Sequence, residues 1–149
     1  MRPNVGKAVL GGVIGTTVFT AMMYMVAPMM GVHMDVADML SHAMKVSWTM
    51  GMILHFMNGV IVFPLIYAFV VYPWVSGSPP VRGIIWGVVL WLLLEVALLP
   101  MMGMKFFGPN MRGATASLIN HIIYGAILGA IAGLGKPGQA PRVGQRSAA

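Results

Sequence analysis

Hydrophobic residues make up 58% of this chain of 149 residues, and charged residues make up only 8%. Together with a mean hydropathy of +0.84, this excludes an ordinary soluble domain, in which about a quarter of the residues are charged. The chain has no cysteine, which excludes disulfides and cysteine-based zinc or redox sites. The formal net charge is +6, but the basic residues flank apolar segments instead of covering one face, so we expect no nucleic-acid partner. The composition predicts an integral membrane protein.

Four apolar runs are each long enough to cross a hydrocarbon core of about 30 Å as a helix. We place these spans at 8–30, 48–71, 81–102 and 114–134. Only a helix satisfies its own backbone donors and acceptors in lipid, so the predicted fold class is all-α, with one transmembrane domain over 1–135. Residues 136–149 show no hydrophobic periodicity and are predicted to form a disordered, basic, cytoplasmic tail.

Basic residues are distributed unequally between the two ends of these spans. Six lie on the side of the termini and the central loop: Arg2, Lys7, Arg82, Lys136, Arg142 and Arg146. Three lie on the other side: Lys45, Lys105 and Arg112. Because cytoplasmic loops carry the excess of lysine and arginine, we predict that both termini are cytoplasmic.

An internal repeat is visible in the spacing of small residues and histidines. A shift of 72 residues places Gly11 on Gly83, Gly15 on Gly87, and the PMMG segment at 28–31 on the PMMG segment at 100–103. A shift of 66 residues places His55 on His121 and Gly59 on Gly125. The chain is therefore predicted to consist of two helical hairpins, at about 7–74 and 81–135. As parallel repeats, they would be related by an axis along the membrane normal.

The segment between the first two spans predicts a short helix of its own. From Val36 onward, apolar residues recur at helical spacing, which is typical of an amphipathic helix lying in the membrane interface. Asp35 precedes this helix as a candidate N-cap. Trp48 follows it, at a position where an aromatic side chain commonly anchors a span.

Small residues recur every four positions in all four spans, which lets helices approach closely. The predicted helix-packing positions are Gly11, Gly15, Gly51, Gly59, Gly83, Gly87, Gly125, Gly129 and Gly133. We expect Gly129 and Gly133 to lie on an exposed face that accepts another helix. That helix would come from a second copy of the chain or from another membrane protein subunit.

The same four-residue stripes bring polar side chains to the inside of the bundle. At 1.5 Å per residue, His55 and His121 lie about 10 Å, and Glu95 about 12 Å, from the same end of their spans. We therefore predict one layer that contains these three residues and Met23, which takes the place of Glu95 in the first repeat. The predicted buried polar cluster consists of Glu95, His55, His121, Met23, Asn58 and Tyr124.

Glu95 is the only carboxylate within a predicted span. A charged carboxylate in lipid costs at least about 2.5 kcal/mol, so we expect Glu95 to be protonated or paired with His55 or His121. The simplest interpretation is a structural hydrogen bond between the hairpins. The alternative is a proton- or ion-coupled role, in which Glu95 titrates beside a histidine.

A metal or haem site is a further alternative. The candidate metal ligands are His55, His121, Glu95 and Met23, because imidazole, carboxylate and thioether all bind transition metals, and thioethers suit Cu(I). Of the 16 methionines, eight lie at 29–57 and four at 101–111. The two symmetry-related histidines are also placed to ligate one haem from opposite sides. Copper and haem are thus candidate cofactors, although the first expectation is that there is none.

Catalytic patterns are absent from the sequence: it has no Ser/His/Asp set, carboxylate pair or phosphate-binding loop at a suitable spacing. We therefore expect a non-enzymatic structural or accessory membrane protein, either a homo-oligomer or part of a larger membrane complex. The alternative is a protein that binds or transports protons, copper or haem through Glu95, His55 and His121.

Several segments resemble those of a known family: GGVIGT, APMMG, LHFMNGVIVFPLIYA and INHIIYGAILGAIAG. On these segments, which extend nearly to residue 135, the chain resembles a family of small four-helix bacterial membrane proteins, defined only as a domain of unknown function. The resemblance implies a bacterial inner-membrane location. It implies no assigned activity, and it identifies no functional residue.

Overall fold

The computed structural model describes residues 4–134, and this part of the chain is helical, without strands. Four of its helices are long and apolar enough to cross a membrane: α1 (Val5–Met29), α3 (Trp48–Trp74), α4 (Pro79–Met101) and α5 (Met111–Ala132). A short helix, α2 (Val36–Met44), connects α1 to α3. The predicted all-α fold with four spans and one short helix is confirmed. The predicted tail at 136–149 lies outside the described residues.

Polar side chains fix where four of the helices begin. The side-chain caps are Asn4 on the Lys7 N–H (3.1 Å), Asp35 on the Asp38 N–H (2.9 Å), Ser47 on the Met50 N–H (3.3 Å) and Asn110 on the Gly113 N–H (2.9 Å). Each cap satisfies a backbone donor that has no acceptor within its own helix. Because of Asn4 and Asn110, α1 and α5 begin a few residues earlier than predicted. The predicted N-cap Asp35 is confirmed.

Each proline beyond the first turn of a span follows a widened, π-helical turn. The turns Met22–Val26, Asn58–Val62, Tyr67–Val71 and Leu93–Leu98 end two residues before Pro28, Pro64, Pro73 and Pro100. Proline has no N–H, and its ring clashes with the carbonyl four residues earlier, so an extra residue in the preceding turn relieves the clash. α5 has no internal proline and remains α-helical along its length.

The ends of α1 and α4 have the same local structure. Met30 (φ −93°, ψ 7°) and Met102 (φ −87°, ψ 6°) have nearly identical backbone angles. The glycines that follow have positive φ, at 69° for Gly31 and 79° for Gly103, a conformation that favours glycine. Each glycine N–H bonds the carbonyl of the proline three residues earlier. These two ends are the segments that the shift of 72 residues aligns.

The helix pair α4/α5 packs backbone against backbone. α5 contacts both α4 and α1, α1 also contacts α3, and α4 contacts α3 mainly around Tyr67–Val71. A methyl group on Gly83 would overlap the carbonyl of Gly125, and one on Gly87 would overlap the carbonyl of His121. The predicted glycine stripes therefore meet each other at this interface, where only hydrogen side chains fit.

Other predicted packing glycines contact different elements. Gly11 and Gly15 lie against Leu128 and Tyr124 of α5, Gly59 against Thr16 of α1, and Gly51 against Ala37 and Ser41 of α2. The expectation that Gly129 and Gly133 face a partner helix is wrong, because Pro79 of the same chain lies against both. Gly12, which was not predicted, packs on the ring of Pro64.

Candidate functional site

The predicted polar cluster is divided between two cavities. Four of its members line a lateral cavity of about 200 Å³: His55, Asn58, His121 and Tyr124. The other two line a polar vestibule of about 870 Å³ at the α2 end of the bundle: Met23 and Glu95. Three apolar side chains border both cavities: Val36, Met39 and Leu94. The four residues of the predicted layer, His55, His121, Glu95 and Met23, therefore do not share one cavity.

His55 is fixed in one tautomer by a threonine of α1. Its Nε2 lies 3.0 Å from Thr20 Oγ1, and the Thr20 hydroxyl donates its single proton to the carbonyl of Thr16 at 2.8 Å. With its proton on that carbonyl, the Thr20 hydroxyl oxygen accepts a hydrogen bond from His55. In the neutral imidazole this places the proton on Nε2 and leaves Nδ1 as an acceptor. The imidazole ring also packs against Phe19, with ring centroids 5.7 Å apart.

His121 is fixed in the other tautomer by its own helix. Its Nδ1 lies 2.8 Å from the backbone carbonyl of Ser117, which can only accept a hydrogen bond. The ring proton is therefore on Nδ1, and Nε2 is the unprotonated nitrogen. The ring meets Phe19 edge-on, with centroids 5.1 Å apart and planes at 88°. Both histidines thus contact one phenyl ring, and each has one acceptor nitrogen without a partner among residues 4–134.

Tyr124 bonds to neither histidine. Its hydroxyl donates to the carbonyl of Gly59 at 2.7 Å, within the first π turn of α3. In that turn the N–H of Phe63 donates to the backbone carbonyl of Asn58 instead of that of Gly59. Pro64, the next residue, has no N–H to donate. The Gly59 carbonyl therefore has no donor in its own helix. Tyr124 supplies the missing donor from α5, so this bond joins two helices.

Glu95 lies inside the bundle, as predicted, with 3% of its surface exposed. Its neighbours include Trp91 and the hydroxyl of Ser117. Its Oε2 and the Ser117 Oγ are both buried without a hydrogen-bond partner in the part of the chain that the structure describes. The expected pairing of Glu95 with a histidine is wrong, because both imidazoles bond to other groups and line the other cavity.

Asp35 connects three helices at the edge of the polar vestibule. Its carboxylate accepts hydrogen bonds from the Tyr24 hydroxyl (2.7 Å), the Trp48 indole (3.0 Å) and the Asp38 N–H (2.9 Å). Partial burial raises the pKa of Asp35, but the hydrogen bonds outweigh it, and the pKa lies below the ordinary value. The sequence identified Asp35 only as a cap, because nothing in the spacing relates it to Tyr24 and Trp48.

Met23 contacts the first turn of α2 and is not part of a polar layer with the histidines. It is fully buried, and its sulfur accepts the N–H of Val36 at 3.3 Å. That N–H belongs to the first turn of α2, where backbone donors have no acceptor within the helix. Among residues 4–134, no group of three or more His, Asp or Glu side chains is arranged to hold a metal ion. The four candidate ligands are not gathered at one point.

A family profile matches residues 2–142. The chain belongs to the family of unknown function DUF6789. No curated protein and no solved structure is significantly similar to it. The predicted resemblance to an uncharacterised family is confirmed. Membership of DUF6789 assigns no activity to the chain.

This DUF6789 chain has a third concave surface, between α1 and α5 on the outside of the bundle. The α1/α5 groove, of about 500 Å³, is lined mainly by apolar side chains: Met22, Val26, Met30, Met111 and Ile119. Asn120 also lines it and is 3% exposed. No hydrogen bond of its amide is found within residues 4–134. Sequence reasoning missed Asn120, although a lone amide in an apolar span is a signal in itself.

Proposed function

We propose that this DUF6789 protein is a non-enzymatic structural or accessory membrane module, in which the intramembrane polar side chains hold the helices together. One observation carries this proposal: three polar side chains bond across helix interfaces. Tyr124 donates to the Gly59 carbonyl, His55 bonds to Thr20, and the Trp91 indole donates to the Ala114 carbonyl at 3.0 Å. Such bonds are a main source of specific helix association in lipid.

The turn between α3 and α4 is stabilised in the same way. Arg82 donates to the carbonyls of Gly77 (2.9 Å) and Tyr72 (3.0 Å), and its guanidinium lies 4.9 Å from the centre of the Tyr72 ring. The carbonyl of Tyr72 belongs to the last turn of α3, which lacks donors of its own. Arg82 therefore contributes to bundle geometry, which supports a structural role for the charged residues too.

Unfolding in lipid bicelles tests the structural role. Variants that remove one interhelical hydrogen bond at a time should each lower the free energy of unfolding. If these variants were as stable as the native protein, the proposal would be contradicted, because the polar groups would then be unnecessary to the fold.

The proposed module acts as a homo-oligomer, with a second copy seated in the α1/α5 groove. Asn120 supports this arrangement, because it is a buried amide with no hydrogen-bond partner within residues 4–134. An amide carries both donors and an acceptor, so two copies of Asn120 can bond to each other across a two-fold axis. Cross-linking in native membranes is expected to trap a dimer. Detection of monomer alone would contradict this part of the proposal.

The proposed location is the bacterial inner membrane, with both termini in the cytoplasm. Lys7 donates through Nζ to the carbonyl of Leu134, so the start of α1 and the end of α5 lie together. Arg82 follows the turn at this end, and Arg112 begins α5 at the other. The remaining basic residues counted for the cytoplasmic end lie outside the described residues. Reporter fusions at either terminus test the orientation.

The matching ends of α1 and α4 support the proposed hairpin repeat.

A second candidate function is proton or cation coupling at Glu95. The observation that favours it is a pair of buried oxygens at the polar vestibule, Glu95 Oε2 and Ser117 Oγ, which have no hydrogen-bond partner within residues 4–134. Oxygen atoms of this kind bind hard cations or exchange protons. Proton flux in liposomes tests it, with Glu95→Gln against the exposed carboxylate variant Asp38→Asn. Flux that is lost only in Glu95→Gln supports coupling, and equal flux in both variants contradicts it.

A further inference from the structure

We propose that the lateral cavity binds a membrane-soluble molecule with a hydroxylated aromatic ring, a phenol or hydroquinone, and an apolar tail. The proposal rests on the size of the cavity, on the tautomers of His55 and His121, and on the opening between α3 and α4. It does not depend on the structural role proposed above.

The volume of the lateral cavity fits one substituted ring. An apolar cavity of about 150 Å³ in an engineered protein holds a benzene molecule, so about 200 Å³ accommodates a benzene ring with small substituents. A haem, with four linked pyrrole rings, is too large for it. Leu90, Leu94 and Phe63 contribute apolar walls, which suit the body of such a ligand.

The two imidazoles of the lateral cavity favour a ligand that donates hydrogen bonds. His55 Nδ1 and His121 Nε2 are both unprotonated in the tautomers that Thr20 and Ser117 impose. Both nitrogens therefore accept hydrogen bonds, and a hydroxyl group on a ligand complements them. Phe19 contacts both imidazoles and offers its ring to an aromatic ligand.

The opening of the lateral cavity leads to lipid. Leu93 of α4 lines the cavity and is nevertheless 54% exposed. α3 and α4 contact each other mainly further along, around Tyr67–Val71. Met39 and Leu40 of α2 cover the cavity at the other end. A ring can thus sit inside while its tail leaves sideways into the hydrocarbon.

Two matched probes test the proposal on the full-length protein in nanodiscs: decylhydroquinone and its dimethyl ether. The probes share ring and tail, but only the hydroquinone has hydroxyl donors. Equilibrium dialysis under anaerobic conditions, corrected with empty nanodiscs, should show at least about tenfold tighter binding of the hydroquinone. Equal affinity of the two probes, or no binding above that of empty nanodiscs, would overturn the proposal.

Variants locate the site. His55→Leu and His121→Leu should each weaken hydroquinone binding towards that of the ether, while His42→Leu, an exposed histidine of α2, should leave it unchanged. Leu93→Trp fills the opening from an exposed position, where a larger side chain displaces little of the packed interior. It should reduce binding at least about tenfold, and the control Leu92→Trp, 43% exposed and outside the cavity lining, should not. Unchanged binding in Leu93→Trp would overturn the location.

Cu(I) alone is the third probe, because two imidazole nitrogens also suit a soft metal ion. Stoichiometric Cu(I) binding that His121→Leu abolishes, and that displaces decylhydroquinone, would assign the two nitrogens to a metal and overturn the proposal. Absence of such binding in the native protein supports the organic ligand.

Discussion

The hydroxyl of Tyr124 donates a 2.7 Å hydrogen bond to the backbone carbonyl of Gly59, and so repairs a defect that Pro64 creates in another helix. The missing proline N–H and the shifted N–H of Phe63 leave this carbonyl without a donor in α3. In lipid no water replaces the lost donor, so a side chain from α5 must do so. A local feature of one span thereby determines how two helices pack.

We expect the stability of the protein to fall strongly when a single methyl group is added at the α4/α5 interface. Gly87→Ala places a Cβ against the carbonyl of His121, a backbone group that cannot move aside, so the free energy of unfolding should fall by about 1–3 kcal/mol. Gly113→Ala is the matched control, since its Cβ meets Asn110 at an ordinary 3.5 Å and alanine favours a helix. Titration with SDS in bicelles measures both. Equal losses would contradict the close packing.

We expect the protein to lose stability in acid because of the hydrogen bonds to the Asp35 carboxylate. Its hydrogen bonds keep the pKa of the folded carboxyl below the ordinary value of 3.8, so folding favours the charged form. The stabilisation is complete above pH 3.8 and is lost as the pH falls through the folded pKa. Trp48 fluorescence should report the change. Asp35→Asn should remove this transition, whereas Asp38→Asn should retain it; a transition that persists in Asp35→Asn would exclude Asp35 as its source.

The spans and α2 could be predicted because they depend on composition over about 20 residues and on local caps. Hydropathy alone locates four segments whose backbone groups must be hydrogen-bonded within a helix. Asp35 marks the start of α2, because its side chain caps that helix. The boundaries shifted by a few residues where caps such as Asn4 and Asn110 extended a helix beyond the apolar run.

The predicted layer of His55, His121, Glu95 and Met23 is wrong, because that prediction assumed regular α-helices. Met23 and Glu95 lie within π turns, whereas His55 and His121 lie in regular α-helix. An extra residue in a turn rotates the side chains after it away from a stripe of every fourth residue. The prolines that follow these turns are visible in the sequence.

We expect removal of the Asn120 amide to weaken the proposed dimer. Asn120→Leu keeps the apolar volume of the α1/α5 groove but removes the proposed pair of amides, so the apparent dissociation constant in liposomes should rise about threefold to tenfold. Energy transfer between labelled copies measures it. Ile119→Leu, on the same surface, is the control. An unchanged constant in Asn120→Leu would exclude the proposed amide pair.

We expect the fold to tolerate replacement of Glu95 by a neutral side chain. Glu95→Gln preserves the shape of the side chain, and Oε2 makes no hydrogen bond within residues 4–134, so the free energy of unfolding should change by less than about 1 kcal/mol. SDS titration in bicelles measures it. A loss of about 3 kcal/mol or more would reveal a buried ion pair with Glu95 and contradict the described geometry.

The free energy of unfolding of Tyr124→Phe tests most directly whether the intramembrane polar groups hold the helices together. The variant removes only the hydroxyl that serves the Gly59 carbonyl, so we expect a loss of about 1 kcal/mol or more. Tyr67→Phe is the control, because its hydroxyl lies a long 3.4 Å from the Pro79 carbonyl, and its loss should be smaller. A Tyr124→Phe variant as stable as the native protein would contradict the structural role.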